Sequence, residues 1–182
     1  MALGNPLYWW ESLYNPQEIK KINTLLKRDL ISTRAQQGAD GVIKTSKVKG
    51  VPWKKAKPYL NKFYESTLFI NNYAFGCQLF SSNEEEHLIY NVYSSGSEYG
   101  FHQDGTEEGA SDIKLTALLN LSDSSYEGGD LELQVNTTVK VPELNVPGNL
   151  VIFPSFILHR ITPVTKGTRK SIAMLLLGPR FK

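Results

Sequence analysis

The sequence predicts a mainly β fold, a sandwich or barrel of short strands with N-terminal helices covering one outer face. Three observations support this prediction. Short apolar or alternating runs recur after His87, turn-forming clusters separate them, and two earlier segments have helical periodicity. The runs are 88–93, 115–121, 131–135, 150–153 and 172–177, and the turn clusters are 94–97, 127–130, 146–149 and 165–167.

The first helix is predicted from a start signal followed by an apolar stripe. After a short strand or anchoring segment at 8–10, Asn15 is the expected N-cap, Pro16 the first helical residue and Glu18 the partner in a capping box. Five apolar residues then recur at helical spacing, so the helix should pack against a sheet. They are Ile19, Ile22, Leu25, Leu26 and Leu30.

The segment between the helices is basic. Apolar and polar residues roughly alternate over 39–49, which predicts a strand or exposed hairpin. Its lysines form either a solvated face or a surface that attracts an acidic partner. A second helix is predicted from about Pro58 to Asn72, and Gly76 would end it.

Composition and charge define the class of protein. A chain of 182 residues suits one domain, 1–182, and 41% hydrophobic residues are typical of soluble globular proteins. The net charge of +2 is too small to indicate nucleic acid. Cys77 is the single cysteine, which fits a reducing compartment. Because neither a signal peptide nor an apolar run of ~18 residues is visible, we expect a cytoplasmic protein with no membrane or nucleic-acid partner.

Three residues form a candidate metal site. His102 and Asp104 lie two positions apart, so their side chains project from the same side of an extended backbone. His159 follows far downstream. Two histidines and one carboxylate are the facial ligand set of non-heme Fe(II) oxygenases, which leaves metal positions open. The alternative is that the two histidines are unrelated core or surface residues.

Several motifs occur in a fixed order around these residues. They are Tyr93-x5-Tyr99-x2-His102-x-Asp104, the strand 116–121 with the hairpin 127–131, the segment 147–154 before His159, and Arg169 ten positions after that histidine. The ordered set, over residues 90–177, resembles the prolyl/lysyl-hydroxylase-type (prolyl 4-hydroxylase-like) branch of the Fe(II)/2-oxoglutarate oxygenases.

The resemblance implies a role for five further residues. Arg169 would anchor the distal carboxylate of 2-oxoglutarate, since a guanidinium offers a planar fork for two hydrogen bonds. Ser171 lies two positions on and would add a hydroxyl from the same strand face. Tyr93 would contact 2-oxoglutarate, Asn120 is a weaker candidate for such a contact, and Tyr99 would lie nearer the substrate.

The sequence also departs from the family pattern. Leu175 stands where many prolyl hydroxylases have a tryptophan, Leu177 where collagen-type relatives have a histidine, and Ile113 where they have an arginine. These differences put prolyl substrates in doubt. Arg180 is too far from Arg169 to match the second arginine of the DNA-repair dealkylases in the superfamily.

The resemblance implies a double-stranded β-helix (jelly-roll, cupin-like) catalytic core at 86–178, supported by a helical region at 1–76. It implies a dioxygenase that uses Fe(II), 2-oxoglutarate and O2 to hydroxylate a C–H bond, with succinate and CO2 as coproducts and ascorbate as a candidate auxiliary reductant. The expected substrate is a residue in a protein or peptide, or another small molecule such as a free amino acid. Two alternatives stay open: a non-oxidative metal-dependent jelly-roll enzyme, and a non-catalytic binding module.

Two polar segments near the candidate site suggest a lid. The segment 35–53 is basic and contains glycine, and 104–111 directly follows two of the metal ligands. Loops on a rigid β scaffold commonly carry binding function. Our hypothesis is that substrate orders these segments, and the alternative is that both are merely solvated loops. If the hypothesis holds, iron, 2-oxoglutarate and substrate together should slow proteolysis within 35–53.

Overall fold

Two antiparallel sheets and two helices make up the part of the chain that this computed structural model describes, residues 6–33, 41–81, 86–105 and 112–180. The helices are α1 (Pro16–Asp29) and α2 (Trp53–Ile70). The strands are β1 (Trp9–Ser12), β2 (Lys47–Pro52), β3 (His87–Ser94), β4 (Tyr99–His102), β5 (Ile113–Asn120), β6 (Tyr126–Gly128), β7 (Leu131–Gln134), β8 (Thr138–Lys140), β9 (Asn149–Pro154), β10 (Leu158–Ile161) and β11 (Val164–Leu177).

The larger sheet has the strand order β1-β9-β5-β11-β3-β2, with β6 paired to the start of β11, and the smaller has the order β4-β10-β7-β8. This arrangement confirms the mainly β class and the helices in front of it. No helix among the described residues is long and apolar enough to cross a membrane.

Strand alternation divides the core into two layers. Outward-facing residues of the larger sheet, such as Ile152 and Ile172, pack against α1 and α2 in one apolar cluster. A second cluster lies between the sheets and combines Tyr93 and Phe153 of the larger sheet with Leu133 of the smaller. The inward face of the larger sheet therefore meets the smaller sheet, and the candidate site lies between them.

The predicted start of α1 is confirmed. The Asn15 side chain accepts a hydrogen bond from the Glu18 backbone at 3.0 Å, and the Glu18 carboxylate accepts one from the Asn15 backbone at 2.8 Å. Pro16 occupies the first turn, where its missing N–H costs nothing. Ile19, Ile22 and Leu26 are buried against the larger sheet, as the apolar stripe predicts.

The predicted start of α2 at Pro58 is wrong. The helix begins at Trp53, and Pro58 lies inside it. Trp53 is 4% exposed and Ala56 is fully buried, so their packing outweighs the backbone hydrogen bond that proline cannot make. A five-residue π-helix, Asn71–Phe75, extends α2 and ends at Gly76 with φ 67°, so the predicted stop is confirmed.

Two local predictions also need correction. The alternation over 39–49 predicts one strand or hairpin, but β2 begins only at Lys47, and a single bridge pairs Lys44 with Tyr99. The predicted turn at 165–167 lies inside β11. Gly167 has φ 77°, and the pairing register between β11 and β6 shifts just before it, so the glycine serves a bulge rather than a chain reversal.

Both segments of the lid hypothesis fall partly outside the described residues. Residues 35–40 and 106–111 belong to the undescribed part of the chain, whereas the end of the first segment forms β2. The lid therefore stays a prediction.

Candidate active site

The two sheets bring the three candidate metal ligands together. His102 ends β4 and His159 lies directly opposite it on β10. The Nε2 atom of His102 is 3.8 Å from Oδ1 of Asp104, and that of His159 is 3.6 Å from Oδ2 of Asp104. One ligand atom from each residue lies within 4.8 Å of the others. The spacing suits donors arranged around one ion.

Backbone carbonyls fix the tautomers of both histidines. The Nδ1 atom of His102 is 2.9 Å from the Gly100 carbonyl oxygen, and that of His159 is 2.8 Å from the Ile157 carbonyl oxygen. Because a carbonyl oxygen only accepts, each Nδ1 carries a proton, and in the neutral ring it is Nε2 that presents a lone pair to the shared centre. Metal-binding histidines are oriented by such contacts.

Burial keeps His102 neutral. Its desolvation, together with the nearby His159, lowers the pKa of His102 to about 4, although Asp104 acts in the opposite direction. At pH 7 the imidazole is therefore uncharged, which is the form that binds a metal. The residues present fit a divalent ion with nitrogen and oxygen ligands.

A β-bulge places an aromatic ring on His102. His159 pairs with His102 but Ile161 pairs with Tyr99, so two steps on β10 oppose three on β4. Tyr99 and His102 therefore share a face, and their rings stack with centroids 3.6 Å apart. This stack places Tyr99, the residue predicted to lie near the substrate, directly beside a candidate metal ligand.

Lys44 lies against the same stack, contrary to the solvated face that its basic segment allows. Its ammonium is 4.4 Å from the Tyr99 ring centroid. Burial lowers the pKa of Lys44, and Asp104 partly opposes that shift. Its backbone is held in place because the Gly100 N–H donates to the Ile43 carbonyl at 2.8 Å. Lys44 thus adds a cation at the edge of the site.

The predicted anchor residues form a second group on the larger sheet. Arg169 is 1% exposed, and its Nη1 donates to Ser171 Oγ at 3.0 Å. Its Nε and Nη2 atoms have no hydrogen-bond partner within the described residues. These two atoms form one planar edge of the guanidinium, and a buried donor without a partner is costly. That edge fits a carboxylate, which accepts two parallel hydrogen bonds.

Tyr93 neighbours the arginine group. It faces Arg169 across the β3–β11 pair, with the guanidinium carbon 5.3 Å from its ring centroid. Burial raises the pKa of the Tyr93 phenol, Arg169 opposes that shift and Asp104 reinforces it. The phenol is therefore within electrostatic range of both Arg169 and Asp104.

The polar atoms of Asn120 bind other residues than the candidate metal ligands or the Arg169–Ser171 pair. Its amide nitrogen donates to the Tyr126 hydroxyl at 2.9 Å and to the Leu144 carbonyl at 2.7 Å. Its oxygen accepts from the Ser122 backbone at 2.9 Å. This pattern suits a role in fixing the neighbouring loops, and the contact with 2-oxoglutarate remains only a prediction.

Sequence reasoning missed two residues of the site. Thr116 Oγ1 donates to Asp104 Oδ2 at 2.6 Å, and the Phe153 ring packs edge-on against His159 with centroids 4.8 Å apart. The two are direct partners on β5 and β9. Inward alternation from Asn120 to Thr116 was the available signal, but it does not show which inward residue reaches the metal ligands.

Gly129 packs closely against Arg169 and Val164. With φ 65° it is in the left-handed region, and a Cβ there would lie 2.9 Å from Arg169 Cδ. We expect Gly129→Ala to destabilise the fold by about 1–3 kcal/mol. It should also weaken 2-oxoglutarate binding, since the arginine stem must shift. Thermal unfolding and calorimetric titration measure the two effects.

Gly96→Ala is the matched control, because Gly96 has φ 85° but no atom within 4 Å of the added Cβ. The Gly96→Ala variant therefore introduces the same kind of backbone strain but no contact of the added Cβ with a neighbouring side chain. If both variants bind 2-oxoglutarate like the wild type, Gly129 does not position the arginine.

The site residues lie in a region with known relatives. The sequence model of the 2OG-Fe(II) oxygenase superfamily matches residues 88–176. Across 88 residues the chain is 43% identical to the PKHD-type hydroxylase YbiX of Escherichia coli O6:K15:H31 (strain 536 / UPEC) and 42% identical to a PKHD-type hydroxylase of Stenotrophomonas maltophilia (strain R551-3). Each match covers 44% of this chain and 38% of the relative. The chain thus spans well under half the length of these relatives.

Solved structures match nearly the whole chain in fold. A Pseudomonas putida prolyl-4-hydroxylase superposes with a TM-score of 0.70 at 18% identity, covering 95% of this chain and 93% of its own. A viral collagen prolyl hydroxylase from Paramecium Bursaria Chlorella virus-1, solved with 2OG, gives 0.69 at 16% identity, covering 98% and 100%. These likenesses confirm the predicted double-stranded β-helix (jelly-roll) fold.

Proposed function

We propose that the chain is an Fe(II)- and 2-oxoglutarate-dependent hydroxylase, a proposal supported by the match of residues 88–176 to the sequence model of the 2OG-Fe(II) oxygenase superfamily. The observation that carries the proposal is the pairing of two sites. One is a group of two histidines and one carboxylate, and the other is a buried arginine edge without a protein partner among the described residues. A 2-oxoglutarate-dependent oxygenase needs both a metal-binding group and a partner for the distal carboxylate of 2-oxoglutarate.

His102, Asp104 and His159 would hold the iron, and Arg169 would hold the distal carboxylate of 2-oxoglutarate through Nε and Nη2. Iron with 2-oxoglutarate and O2 supplies the oxidising chemistry, whose coproducts are succinate and CO2. The protein would bind and orient the cosubstrate and the substrate, and it would exclude water from the site. Ascorbate is proposed only as an auxiliary reductant.

The buried surroundings explain how water is excluded. Tyr93 is 3% exposed and His159 is 4% exposed, so one side of the site is closed by protein. Phe153 covers an edge of His159 and Tyr99 covers a face of His102. A dry, fixed environment strengthens the electrostatic contacts that position a cosubstrate.

We propose that the substrate is a residue in a protein or peptide, or a free amino acid. A neighbour in fold, a prolyl hydroxylase from Trichoplax adhaerens, was solved with a hypoxia inducible factor peptide. That structure is 16% identical and supports the fold rather than a shared substrate. Leu175 pairs directly with Thr116 on the inward face, so an apolar side chain stands where many prolyl hydroxylases have a tryptophan.

A cytoplasmic location is part of the same proposal. Cys77 is the single cysteine of the sequence and is unpaired. A protein without disulfides is suited to a reducing compartment.

The test is succinate formation from 2-oxoglutarate, with Fe(II) and O2 present. Uncoupled turnover without the true substrate is slow, so enzyme is used at concentrations near those of 2-oxoglutarate and sampled over hours. We expect succinate above the level given by Asp104→Ala. Equal amounts from both proteins would contradict a 2-oxoglutarate oxygenase.

The two alternatives make different predictions. A non-oxidative metal enzyme would bind the metal but not 2-oxoglutarate, and the partnerless edge of Arg169 argues against it. A non-catalytic binding module would bind neither, and the close grouping of His102, Asp104 and His159 argues against that.

A further inference from the structure

Thr116 makes a short hydrogen bond to the candidate metal carboxylate. Its Oγ1 is 2.6 Å from Oδ2 of Asp104, and because an ionised carboxylate only accepts, the threonine is the donor. Thr116 is 1% exposed. A charge-assisted hydrogen bond shielded from water is among the stronger kinds.

The two ends of this bond differ in how firmly they are held. Thr116 lies in the middle of the larger sheet, paired with Phe153 on one side and Leu175 on the other. Asp104 lies two residues beyond the end of β4 and is attached to the sheets by its backbone N–H, which donates to the Ser155 carbonyl at 3.1 Å. The side chain of Asp104 is therefore fixed largely from the opposite sheet.

The hydrogen bond also distinguishes the two carboxylate oxygens. Each oxygen lies near one histidine, with Oδ1 3.8 Å from His102 Nε2 and Oδ2 3.6 Å from His159 Nε2, but Oδ2 is the one that accepts from Thr116. A hydroxyl bound to Oδ2 withdraws charge from that oxygen and occupies one of its lone pairs. Oδ1 is thereby the better donor to a cation.

We propose that Thr116 is a positioning residue that makes Asp104 a one-oxygen metal ligand through Oδ1. This inference rests on the metal site of the proposed function. By holding Oδ2, Thr116 orients the carboxylate before the metal binds and prevents it from chelating through both oxygens. One further metal position then stays open for the cosubstrate or water. Partners of metal ligands of this kind are worth about 10–100-fold in metal affinity.

The test compares Thr116→Val with Thr116→Ser. Valine keeps the β-branched shape and removes the hydroxyl, whereas serine keeps the hydroxyl. Titration of the metal-free proteins with Mn(II) alone should show affinity reduced about 10–100-fold in the valine variant and restored to near wild type in the serine variant. Water-proton relaxation of the Mn(II)-loaded proteins should show fewer bound waters in the valine variant.

Two further variants keep the test decisive. Thr67→Val removes another buried threonine hydroxyl, which donates to the Phe63 carbonyl at 2.8 Å within α2, and should leave Mn(II) binding unchanged. Thr116→Ala replaces the valine variant if thermal unfolding shows that valine does not fold.

Three outcomes are separable. Wild-type protein that binds no Mn(II) overturns the proposed metal site itself. Wild-type binding matched by Thr116→Val overturns only the role of Thr116. Equal losses in the valine and serine variants also overturn it, since the hydroxyl is then not the cause.

Discussion

Asp104→Ala is expected to remove metal binding and all turnover. Asp104 supplies the single negative charge of the ligand group, and its carboxylate lies within 4 Å of both histidine Nε2 atoms. Without it only the two imidazoles remain, and the cation loses both a ligand and its charge compensation. Because even residues that only support a ligand are worth about 10–100-fold, we expect affinity to fall at least about 100-fold.

The measurement is titration with Mn(II), or with Fe(II) under anaerobic conditions, followed by the succinate assay. Asp123→Ala is the matched control. It removes a carboxylate that pairs with Lys170 at 2.5 Å, outside the candidate site, and should leave metal affinity unchanged. Full turnover of Asp104→Ala at limiting iron would show that the ligand assignment is wrong.

Arg169→Lys is expected to lower the affinity for 2-oxoglutarate by on the order of tenfold or more. Lysine keeps the positive charge but cannot present the planar edge formed by Nε and Nη2. It also loses the fixed contact with Ser171, which holds the guanidinium in place. Metal affinity should barely change, because the arginine makes no contact with the three ligands in the described structure.

Calorimetric titration of the Mn(II)-loaded proteins measures this effect. Lys170→Ala is the control, since Lys170 faces away from the site and pairs with Asp123. Unaltered 2-oxoglutarate binding in Arg169→Lys would place the anchor elsewhere. Arg160 would then be the next candidate to test, although it is already paired with Glu132 at 2.7 Å.

Structural features were predicted correctly where the sequence pattern involves residues that are close together in the chain. The start of α1 is confirmed because Asn15, Pro16 and Glu18 interact within one turn. The shared face of Arg169 and Ser171 follows from alternation alone, and the structure joins them by a hydrogen bond. Such features need no knowledge of distant contacts.

Features that depend on distant packing were not predictable. Trp53 extends α2 toward the N-terminus because the core buries it, which overrides the breaking tendency of Pro58. Thr116 reaches Asp104 only because β5 and β4 belong to sheets that face each other. Likewise, the stacking of the Tyr99 ring on His102 depends on a β-bulge that no pattern in the sequence predicts.

The central claim is that metal and 2-oxoglutarate occupy one site. The most direct measurement is the affinity for 2-oxoglutarate of the same protein with and without Mn(II). We predict tight binding only with the metal, because the group of His102, Asp104 and His159 would hold the ion that the keto acid chelates while Arg169 holds the far carboxylate. Equal affinity with and without Mn(II), or no binding in either state, would contradict the claim.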